Sequence, residues 1–230
     1  MQKICFVCLA SYFAPNIGGF DPESIHRQES YAVALSQLLD IAPAGVELLI
    51  VDNTVGSSEE LSDSLRAQFS AEMIKDVMFI NNNKLGSKNK GAGEYVMCRE
   101  IIKKHEAYLR DFDWVVYYTS RHIVAFPVIF EHLKRYSDKQ AIVSSAEYIF
   151  ANGSRSVPDE KGYDDVIFAM KPALFMDYAT SLEPEKLVTL HMSSESNLYN
   201  FVHDNKLDFQ KVHRWGLVRY DYGYGKTEII

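Results

Sequence analysis

Residues 4–11 read ICFVCLAS, an almost unbroken apolar run that ends in a serine. A short run of this kind is typical of a central strand in a parallel sheet, because helices cover such a strand on both faces. Three similar runs follow along the chain: VELLIV (46–51), VMFI (77–80) and WVVYY (114–118). Helical patterns separate them. The sequence therefore predicts βαβ units and an α/β fold, with a mostly parallel, Rossmann-like central sheet flanked by helices.

The second half of the chain has a less regular pattern. A fifth strand is predicted at 141–150 (AIVSSAEYIF), and the polar segment 151–164 is predicted to be a loop. A short strand at 165–168 and a helix at 193–205 are also predicted, followed by a strand-like tail. No repeat or break in composition marks a second domain. We therefore expect residues 1–230 to form one domain with a small irregular C-terminal part.

Composition argues against several classes of function. The formal net charge is −7 and the isoelectric point is about 5.5, and an acidic surface repels phosphate backbones, so general nucleic-acid binding is not expected. No apolar stretch approaches the roughly 18 residues of a membrane span, and no signal peptide is visible. The sequence predicts a cytoplasmic protein without a transmembrane segment, and it leaves peripheral membrane contact open.

The three cysteines, Cys5, Cys8 and Cys98, are too few for a disulfide framework. Cys5 and Cys8 have C-x-x-C spacing, but residues three apart on a strand point to opposite faces. We therefore predict buried free thiols rather than a redox or metal pair, which agrees with a reducing compartment. The histidines are scattered without metal-binding spacing, so no metal site is predicted from them.

Polar side chains follow three of the predicted strands. These clusters are Asp52-Asn53, Asn81 to Asn83, and Thr119 to His122. Ligands of open α/β sheets bind outside the carboxyl ends of the strands, so the clusters predict a binding site at that edge. Loops are usually polar, however, and the pattern alone does not identify the ligand.

The segment LGSKNKGAG (85–93) has the clearest local signature of an anion site. Its glycines allow close approach of the backbone to a ligand, and the N-terminus of the following helix attracts anions. Lys84, Lys88 and Lys90 form a basic cluster that could hold one small anion on an acidic protein. The segment is not a Walker A loop, since that spacing is absent. A simple helix-capping loop would give the same pattern.

Four segments, taken in order, resemble the GT-A fold glycosyltransferases of family 2 type. VELLIVDNTVGSSEE resembles the strand that ends in the family's Val-Asp motif, and NNNKLGSKNKGAGEY resembles its N-x-G-x-x-x-x-N-x-G segment. DWVVYYTSRHIV resembles the strand that carries the family's D-x-D motif, and SSESNLYNFVHDNKLDF resembles a later segment in which an acidic residue starts a helix. Each motif is degenerate, so the series carries the resemblance, which covers most of residues 1–220.

The resemblance implies a role for each matching position. Asp52 would contact the base of a nucleotide donor, although a strand-end aspartate also commonly caps the next turn. Glu195 would be the general base for the acceptor hydroxyl, although a first-turn glutamate also favours the helix dipole. Residues 1–122 would form the nucleotide-binding half, and 123–230 the acceptor-side half. The other positions implied for the nucleotide-sugar site are Asn81, Gly86, Lys88, Asn89, Gly91, Thr119, Ser120 and His122.

The chain departs from the family at the D-x-D position, which reads Thr119-Ser120-Arg121. The family's carboxylates hold a divalent cation against the donor diphosphate, whereas Arg121 is itself a permanent cation. We therefore expect no divalent metal cofactor. Arg121, with His122 or Lys88, would supply the positive charge and stabilise the leaving group. The alternative is that catalysis has been lost and the protein only binds or scaffolds.

The resemblance implies a glycosyltransferase that moves a sugar from a UDP- or GDP-linked donor to the hydroxyl of a glycan or other acceptor, without a bound metal. The first alternative is a catalytically inactive relative that acts as a binding or assembly module in polysaccharide synthesis. A nucleotidyltransferase ranks third, because the loop after Ser11 contains Gly18-Gly19 but lacks a basic residue before them. The donor sugar, the acceptor, the anomeric outcome and the oligomeric state are left open.

Overall fold

A central sheet of seven strands organises the computed structural model. The residues that it describes are 2–13, 24–124, 127–144, 148–149, 155–156, 162–181, 183–221 and 226–229. The strands are β1 (Ile4–Ala10), β2 (Val46–Asp52), β3 (Ile74–Phe79), β4 (Trp114–Thr119), β5 (Ile123–Val124), β6 (Ala141–Ser144), β7 (Tyr148–Ile149), β8 (Arg155–Ser156), β9 (Ile167–Met170), β10 (Phe209–Val212), β11 (Leu217–Asp221) and β12 (Lys226–Ile229). The helices are α1 (Ser24–Ile41), α2 (Asp63–Gln68), α3 (Lys90–Leu109), α4 (Val128–Arg135), α5 (Pro172–Thr180), α6 (Pro184–Thr189) and α7 (Ser194–Asp204), with a 3₁₀ turn at Ser58–Glu60.

The large sheet has the strand order β10-β6-β9-β4-β1-β2-β3. β1 is parallel to β2 and β4, β2 is parallel to β3, and β6 is parallel to β10. β9 runs antiparallel to both of its neighbours, β4 and β6. The predicted fold class is therefore confirmed as a mixed α/β fold with a mostly parallel central sheet flanked by helices. Smaller pairings join β12-β11-β5 and β7-β8.

Two apolar layers cover the sheet, one on each face, and β1 contributes alternately to both. Cys5 and Val7 pack into the layer that contains α3, α5 and α7, whereas Phe6 and Cys8 pack into the layer that contains α1 and α4. This alternation follows from the period of two along a strand. It explains why residues 4–10 are apolar without interruption. Burying a side chain of this size contributes about 1.5–3 kcal/mol, so β1 is a main source of stability.

The cysteine prediction is confirmed by the same alternation. Cys5 and Cys8 lie in opposite layers, and all three cysteines are buried free thiols. Burial raises the pKa of the Cys98 thiol, with the carboxylate of Glu94 adding to the effect, so this thiol stays protonated and unreactive. Within the described part of the chain, no helix is long and apolar enough to cross a membrane.

Several predicted element boundaries differ from the structure. The pattern of 59–72 predicts one helix, but a 3₁₀ turn and α2 share this segment because Ser62 adopts an extended conformation between them. The helix predicted from Glu94 begins four residues earlier, because Asn89 caps it. The strand predicted at 141–150 ends at Ser144, and 148–149 instead pair with 155–156.

The second half of the chain supplies more of the sheet than the sequence indicates. The short strand predicted at 165–168 is observed as β9, shifted by two residues and inserted between β4 and β6. Residues 209–212, which overlap the start of the strand-like tail predicted from Lys211, form β10 at the edge of the same sheet. Most of the loop predicted at 151–164 lies outside the described residues.

Candidate functional site

The carboxyl ends of β1, β2 and β4 lie side by side, as the parallel register requires. Ala10 is paired with Asp52, and Leu9 is paired with Thr119. The polar clusters at 52–53 and 119–122 therefore meet at one edge of the sheet. This is the edge where ligands of open α/β sheets bind.

Asp52 has a clear structural role at this edge. Its buried carboxylate accepts hydrogen bonds from the backbone N–H groups of Tyr12 (2.8 Å), Thr54 (2.6 Å) and Val55 (2.8 Å). Burial raises its pKa, and these hydrogen bonds counteract part of the rise. Asp52 thus ties the loop after β1 to the loop after β2. Its contact with a nucleotide base stays a prediction.

The side-chain hydroxyls of Thr119 and Ser120, at the D-x-D position, both donate hydrogen bonds to backbone carbonyls. Thr119 is buried and its hydroxyl donates to the carbonyl of Val166 at 3.4 Å, while the hydroxyl of Ser120 donates to the carbonyl of Leu9 at 3.0 Å. Arg121 follows them and is partly exposed. Its backbone N–H donates to the carbonyl of Thr119 at 2.8 Å, and this hydrogen bond closes a tight turn. These residues stand at the position where the carboxylates of the family that the sequence resembles would hold a divalent cation. Two bonded hydroxyls and a guanidinium do not form such a donor set.

His122 is buried directly after this turn. Its carbonyl accepts a hydrogen bond from the hydroxyl of Tyr118. This bond fixes the backbone where β4 leaves the sheet. A direct role of His122 in binding a phosphate stays a prediction.

The glycines of the 85–93 segment are explained by packing inside the protein. A Cβ atom on Gly86 would lie 2.0 Å from the Asn83 side chain, and one on Gly93 would lie 2.7 Å from the Cα of Gly86. A Cβ atom on Gly91 would lie 2.9 Å from Ser194 at the start of α7. The contact at Gly93 is with backbone and favours glycine whether or not a ligand is bound, whereas those at Gly86 and Gly91 are with side chains. The approach of a nucleotide to Gly86 and Gly91 stays a prediction.

Asn89 is the N-cap of α3 and also joins it to the segment before α7. Its side-chain oxygen accepts from the N–H of Ala92 at 3.0 Å, and its amide group donates to the carbonyls of Leu187 at 3.3 Å and Met192 at 3.1 Å. The segment therefore acts as a helix-capping loop, which was the alternative to an anion site in the sequence analysis. Lys88 and Asn81, both before α3 in the chain, are exposed.

A cluster of charged side chains lies next to these loops, and we call Lys90, Glu94, Asp164 and Asp165 the Lys90 cluster. The ammonium nitrogen of Lys90 lies 3.2 Å from Glu94 Oε1 and 3.2 Å from Asp165 Oδ2. The Lys90 side chain is 52% exposed, whereas the side chains of Glu94 and Asp165 are only 6% and 4% exposed. Two buried carboxylates thus hold the ammonium of a half-exposed lysine side chain.

The buried carboxylates have further partners within the protein. Glu94 accepts a hydrogen bond from the Tyr117 hydroxyl at 2.7 Å, and Asp165 accepts one from the hydroxyl of Ser194. Asp164 accepts from the N–H of Val166 at 2.9 Å. These bonds connect α3, β4, β9 and α7, so the cluster stands where four elements meet.

Burial and mutual repulsion change the pKa values of the cluster. Burial raises the pKa of Glu94 to about 7, against the stabilising charge of Lys90. Burial also raises the pKa of Asp164 to about 7, and the charge of Asp165 adds to the rise. Burial alone would lower the pKa of Lys90, but Asp165 and Glu94 reverse this and the net shift is upward. Lys90 is therefore a cation over the whole physiological range.

The charges of Arg121 and Glu195, the two residues predicted to be catalytic, both influence the pKa of Lys90. The positive charge of Arg121 lowers the pKa of Lys90, and the negative charge of Glu195 raises it. The structure therefore brings Arg121, Glu195 and the Lys90 cluster into one electrostatic neighbourhood, although they are far apart in sequence. Glu195 lies in the first turn of α7, and its carbonyl accepts from the N–H of Tyr163 at 3.3 Å.

The sequence interpretation missed Glu94, Asp164 and Asp165, and it noted Lys90 only as part of a basic cluster. One signal was available, because Lys90 and Glu94 have the i, i+4 spacing of an ion pair on a helix. The pairing with Asp165 depends on β9 lying beside β4, which the sequence did not indicate. Within the described ranges, no group of three or more His, Cys, Asp or Glu side chains is arranged to hold a metal ion.

Comparison with known proteins reveals similarity in structure but not in sequence. No family model and no curated protein matches the chain. One similar solved structure is a protein from Desulfovibrio desulfuricans G20, provisionally named a nucleotide-diphospho-sugar transferase. Its TM-score is 0.53 at 13% identity, over 93% of this chain and 80% of that one.

Two further similar structures are of S. aureus TarS. The fragment 1–349 has a TM-score of 0.54 at 10% identity, over 92% of this chain and 58% of that one. A longer TarS chain has a TM-score of 0.53 at 12% identity, over 92% of this chain and 35% of that one. This chain therefore spans about half of the fragment and a third of the longer protein. At these identities the comparison establishes the fold, which is GT-A-like.

Proposed function

We propose that the protein is a glycosyltransferase that moves a sugar from a UDP- or GDP-linked donor to an acceptor hydroxyl without a divalent metal. The observation that supports the proposal is the placement of Arg121 and Glu195 at the carboxyl edge of a GT-A-like sheet. Arg121 directly follows Ser120, which is bonded to β1, and Glu195 directly follows Ser194, which is bonded to Asp165. The acceptor is a glycan or another hydroxyl compound, and the biological setting is polysaccharide or glycoconjugate synthesis in the cytoplasm.

In this proposal the chain's own side chains supply the chemistry. The carboxylate of Glu195 takes the proton of the acceptor hydroxyl while that oxygen attacks the anomeric carbon. The bond between the anomeric carbon and the diphosphate oxygen breaks, and its electron pair leaves with the nucleoside diphosphate. The guanidinium of Arg121 forms charge-assisted hydrogen bonds with the diphosphate and stabilises the developing charge.

The nucleotide-sugar lies against the loops that follow β1, β2, β3 and β4 in this proposal. The exposed residues Lys88 and Asn81 contact it with their side chains. The better buried residues of the predicted set shape the wall on which it rests. They are Asp52, Gly86, Asn89, Gly91, Thr119, Ser120 and His122.

Calorimetric titration with UDP, GDP and their sugar conjugates in EDTA tests the proposal. We expect at least one of them to bind, and we expect Arg121→Ala to weaken binding at least about tenfold, because a charge-assisted contact is worth about 1.5–3 kcal/mol. Glu195→Gln keeps the donor affinity but loses turnover, because it removes only the base. Arg110→Ala is the matched control, since Arg110 is an exposed arginine paired with Glu106.

The outcomes separate the parts of the proposal. Absence of binding to every nucleotide and nucleotide-sugar would contradict it as a whole. Unchanged affinity of Arg121→Ala would remove Arg121 from the site. Binding that requires Mn²⁺ or Mg²⁺ would overturn metal independence.

A second candidate is a catalytically inactive binding module, favoured by one observation. The hydroxyls of Thr119 and Ser120 donate to backbone carbonyls, and neither side chain carries the carboxylate found at the D-x-D position of the family. Turnover discriminates between the two candidates. Slow hydrolysis of the bound nucleotide-sugar, lost in Glu195→Gln, supports the enzyme, whereas binding without any hydrolysis or transfer supports the module.

A further inference from the structure

Lys90 occupies an unusual position for a lysine on the first turn of a helix. Its ammonium is held by Glu94 from the next turn of α3 and by Asp165 from the segment before β9. Both partners are buried, while half of the lysine side chain faces solvent. An ordinary ion pair on a helix surface has two exposed members, as Lys103 and Glu100 do on the same helix, with side chains 78% and 41% exposed.

We propose that Lys90 is a built-in cation that binds the diphosphate of the donor in place of a metal ion, with Glu94 and Asp165 as the side chains that position it. The inference rests on the proposed function, since it names a further residue for the same site. It follows from the mismatch at the D-x-D position, where two bonded hydroxyls and a guanidinium cannot form a metal cage.

The hydrogen-bonding capacity of the ammonium supports this role. A lysine ammonium has three N–H donors. Among the residues that the structure describes, Glu94 and Asp165 are its partners and use two of these donors, and in this proposal the third donates to the diphosphate. Two fixed contacts also restrict the flexible side chain before a ligand arrives, which lowers the entropy cost of the third contact.

The charge balance of the cluster also favours an anion contact. Two fully charged carboxylates would cancel the charge of Lys90, but burial raises the pKa of Glu94 to about 7, so this partner is partly protonated near neutral pH. Arg121 adds a second positive charge close enough to influence Lys90. In this proposal the two cations bind the two phosphoryl groups of one diphosphate.

Titration with inorganic pyrophosphate and with UDP and GDP in EDTA tests the inference. The variants are Lys90→Met, which keeps the length of the side chain and removes its charge, and Lys103→Met as the matched control on the same helix. We expect Lys90→Met to lose at least about tenfold in affinity for pyrophosphate and for the nucleotide that binds. Lys103→Met should bind like the wild type. Thermal melting of each variant verifies that it is folded.

A second variant gives an effect of opposite sign and distinguishes binding from mere support of the fold. In Glu94→Gln the remaining side-chain oxygen can still accept from Lys90 while the amide N–H donates to the Tyr117 oxygen, so Lys90 stays in position and one negative charge beside it is removed. If Lys90 binds the diphosphate, Glu94→Gln tightens pyrophosphate binding about two- to fivefold at pH 8, where Glu94 is ionised in the wild type. If Lys90 only joins α3 to β9, this variant leaves the affinity unchanged or weakens it.

The results separate this inference from the proposed function. Should the wild type bind UDP or GDP and Lys90→Met bind it equally well, the inference is wrong and the proposed function stands. Should pyrophosphate bind through Lys90 while no nucleotide or nucleotide-sugar binds, the anion site stands and the proposed function is wrong. Should the wild type bind none of these compounds, both are wrong. If Lys90→Met does not fold, Glu94→Gln decides alone.

Discussion

Asp52 and the carboxylates of the Lys90 cluster are buried near the same edge of the sheet, and the protein stabilises them in different ways. Asp52 is surrounded by backbone N–H groups of the loops after β1 and β2. Glu94 and Asp165 of the Lys90 cluster are paired instead with a lysine whose side chain is half exposed. The first arrangement uses the carboxylate's hydrogen-bonding capacity within the fold. The second holds the charged end of a half-exposed lysine side chain, which is why the two regions have different functions in our proposal.

Removing the Asp52 carboxylate is the strongest way to test this difference. Asp52→Ala leaves three backbone N–H groups without their acceptor, two of them in buried residues. We expect the free energy of unfolding to fall by about 4 kcal/mol, because each lost bond to a charged acceptor costs about 1–3 kcal/mol. Urea denaturation monitored by circular dichroism measures the change.

The control for this variant is an aspartate of the same charge on the surface. Asp63 has a side chain that is 91% exposed and pairs only with Arg66, so Asp63→Ala should change stability by less than about 1 kcal/mol. A stable Asp52→Ala variant that has lost nucleotide binding would reverse our interpretation. It would make Asp52 a ligand residue, as the family resemblance implies, and not a structural one.

Much of the fold could be predicted from the sequence because its strongest signals are local. The unbroken apolar run at 4–10 indicates a strand covered on both faces, and both apolar layers are observed. The alternation of strands and helices through residue 140 indicates the parallel part of the sheet. β9 could not be placed in this way, because an antiparallel strand inserted between β4 and β6 depends on pairing between distant segments.

The candidate site was predictable only in part, for a related reason. Strand ends that share an edge follow from the parallel topology, so the meeting of residues 52 and 119 was expected. The partner of Lys90 from outside α3 could not be predicted, because Asp165 reaches it only once β9 is in place. The roles of the glycines were also ambiguous, since the same residue type serves a ligand or a close backbone contact.

Gly93 lies between the two carboxylate regions, and replacing it tests whether their spacing is fixed. A Cβ atom there would lie 2.7 Å from the Cα of Gly86 and 3.1 Å from the side chain of Asn53. Alanine favours a helix by up to about 1 kcal/mol over glycine, but the clash with backbone atoms outweighs this. We expect Gly93→Ala to lower the free energy of unfolding by about 2 kcal/mol.

Gly56→Ala provides the comparison for Gly93→Ala. A Cβ atom on Gly56 would lie 3.3 Å from the end of the flexible Glu60 side chain, which can move aside. Its effect on stability should therefore stay below about 1 kcal/mol. A neutral Gly93→Ala, measured in the same urea titrations, would indicate that the two regions can shift relative to each other.

The pH dependence of stability separates a cation-paired carboxylate in the Lys90 cluster from an exposed one. Burial raises the pKa of Glu94 to about 7, whereas its value in the unfolded chain is near 4.3. Between these two values the folded state binds more protons than the unfolded state, so the contribution of Glu94 to stability falls as the pH rises. The loss is at most about 1.4 kcal/mol per pH unit, and it ends above pH 7.

Urea titrations at several values between pH 5 and 8 measure this dependence as the difference between the wild type and Glu94→Gln. We expect the wild type to lose stability relative to the variant as the pH rises to 7, and the difference to be constant above that. Glu183→Gln is the control, because the hydrogen bond from Arg99 lowers the pKa of Glu183, which is therefore ionised throughout this range. Its difference from the wild type should be independent of pH. A flat profile for Glu94→Gln would mean that Lys90 keeps Glu94 fully ionised, which would remove the charge imbalance that we invoke for diphosphate binding.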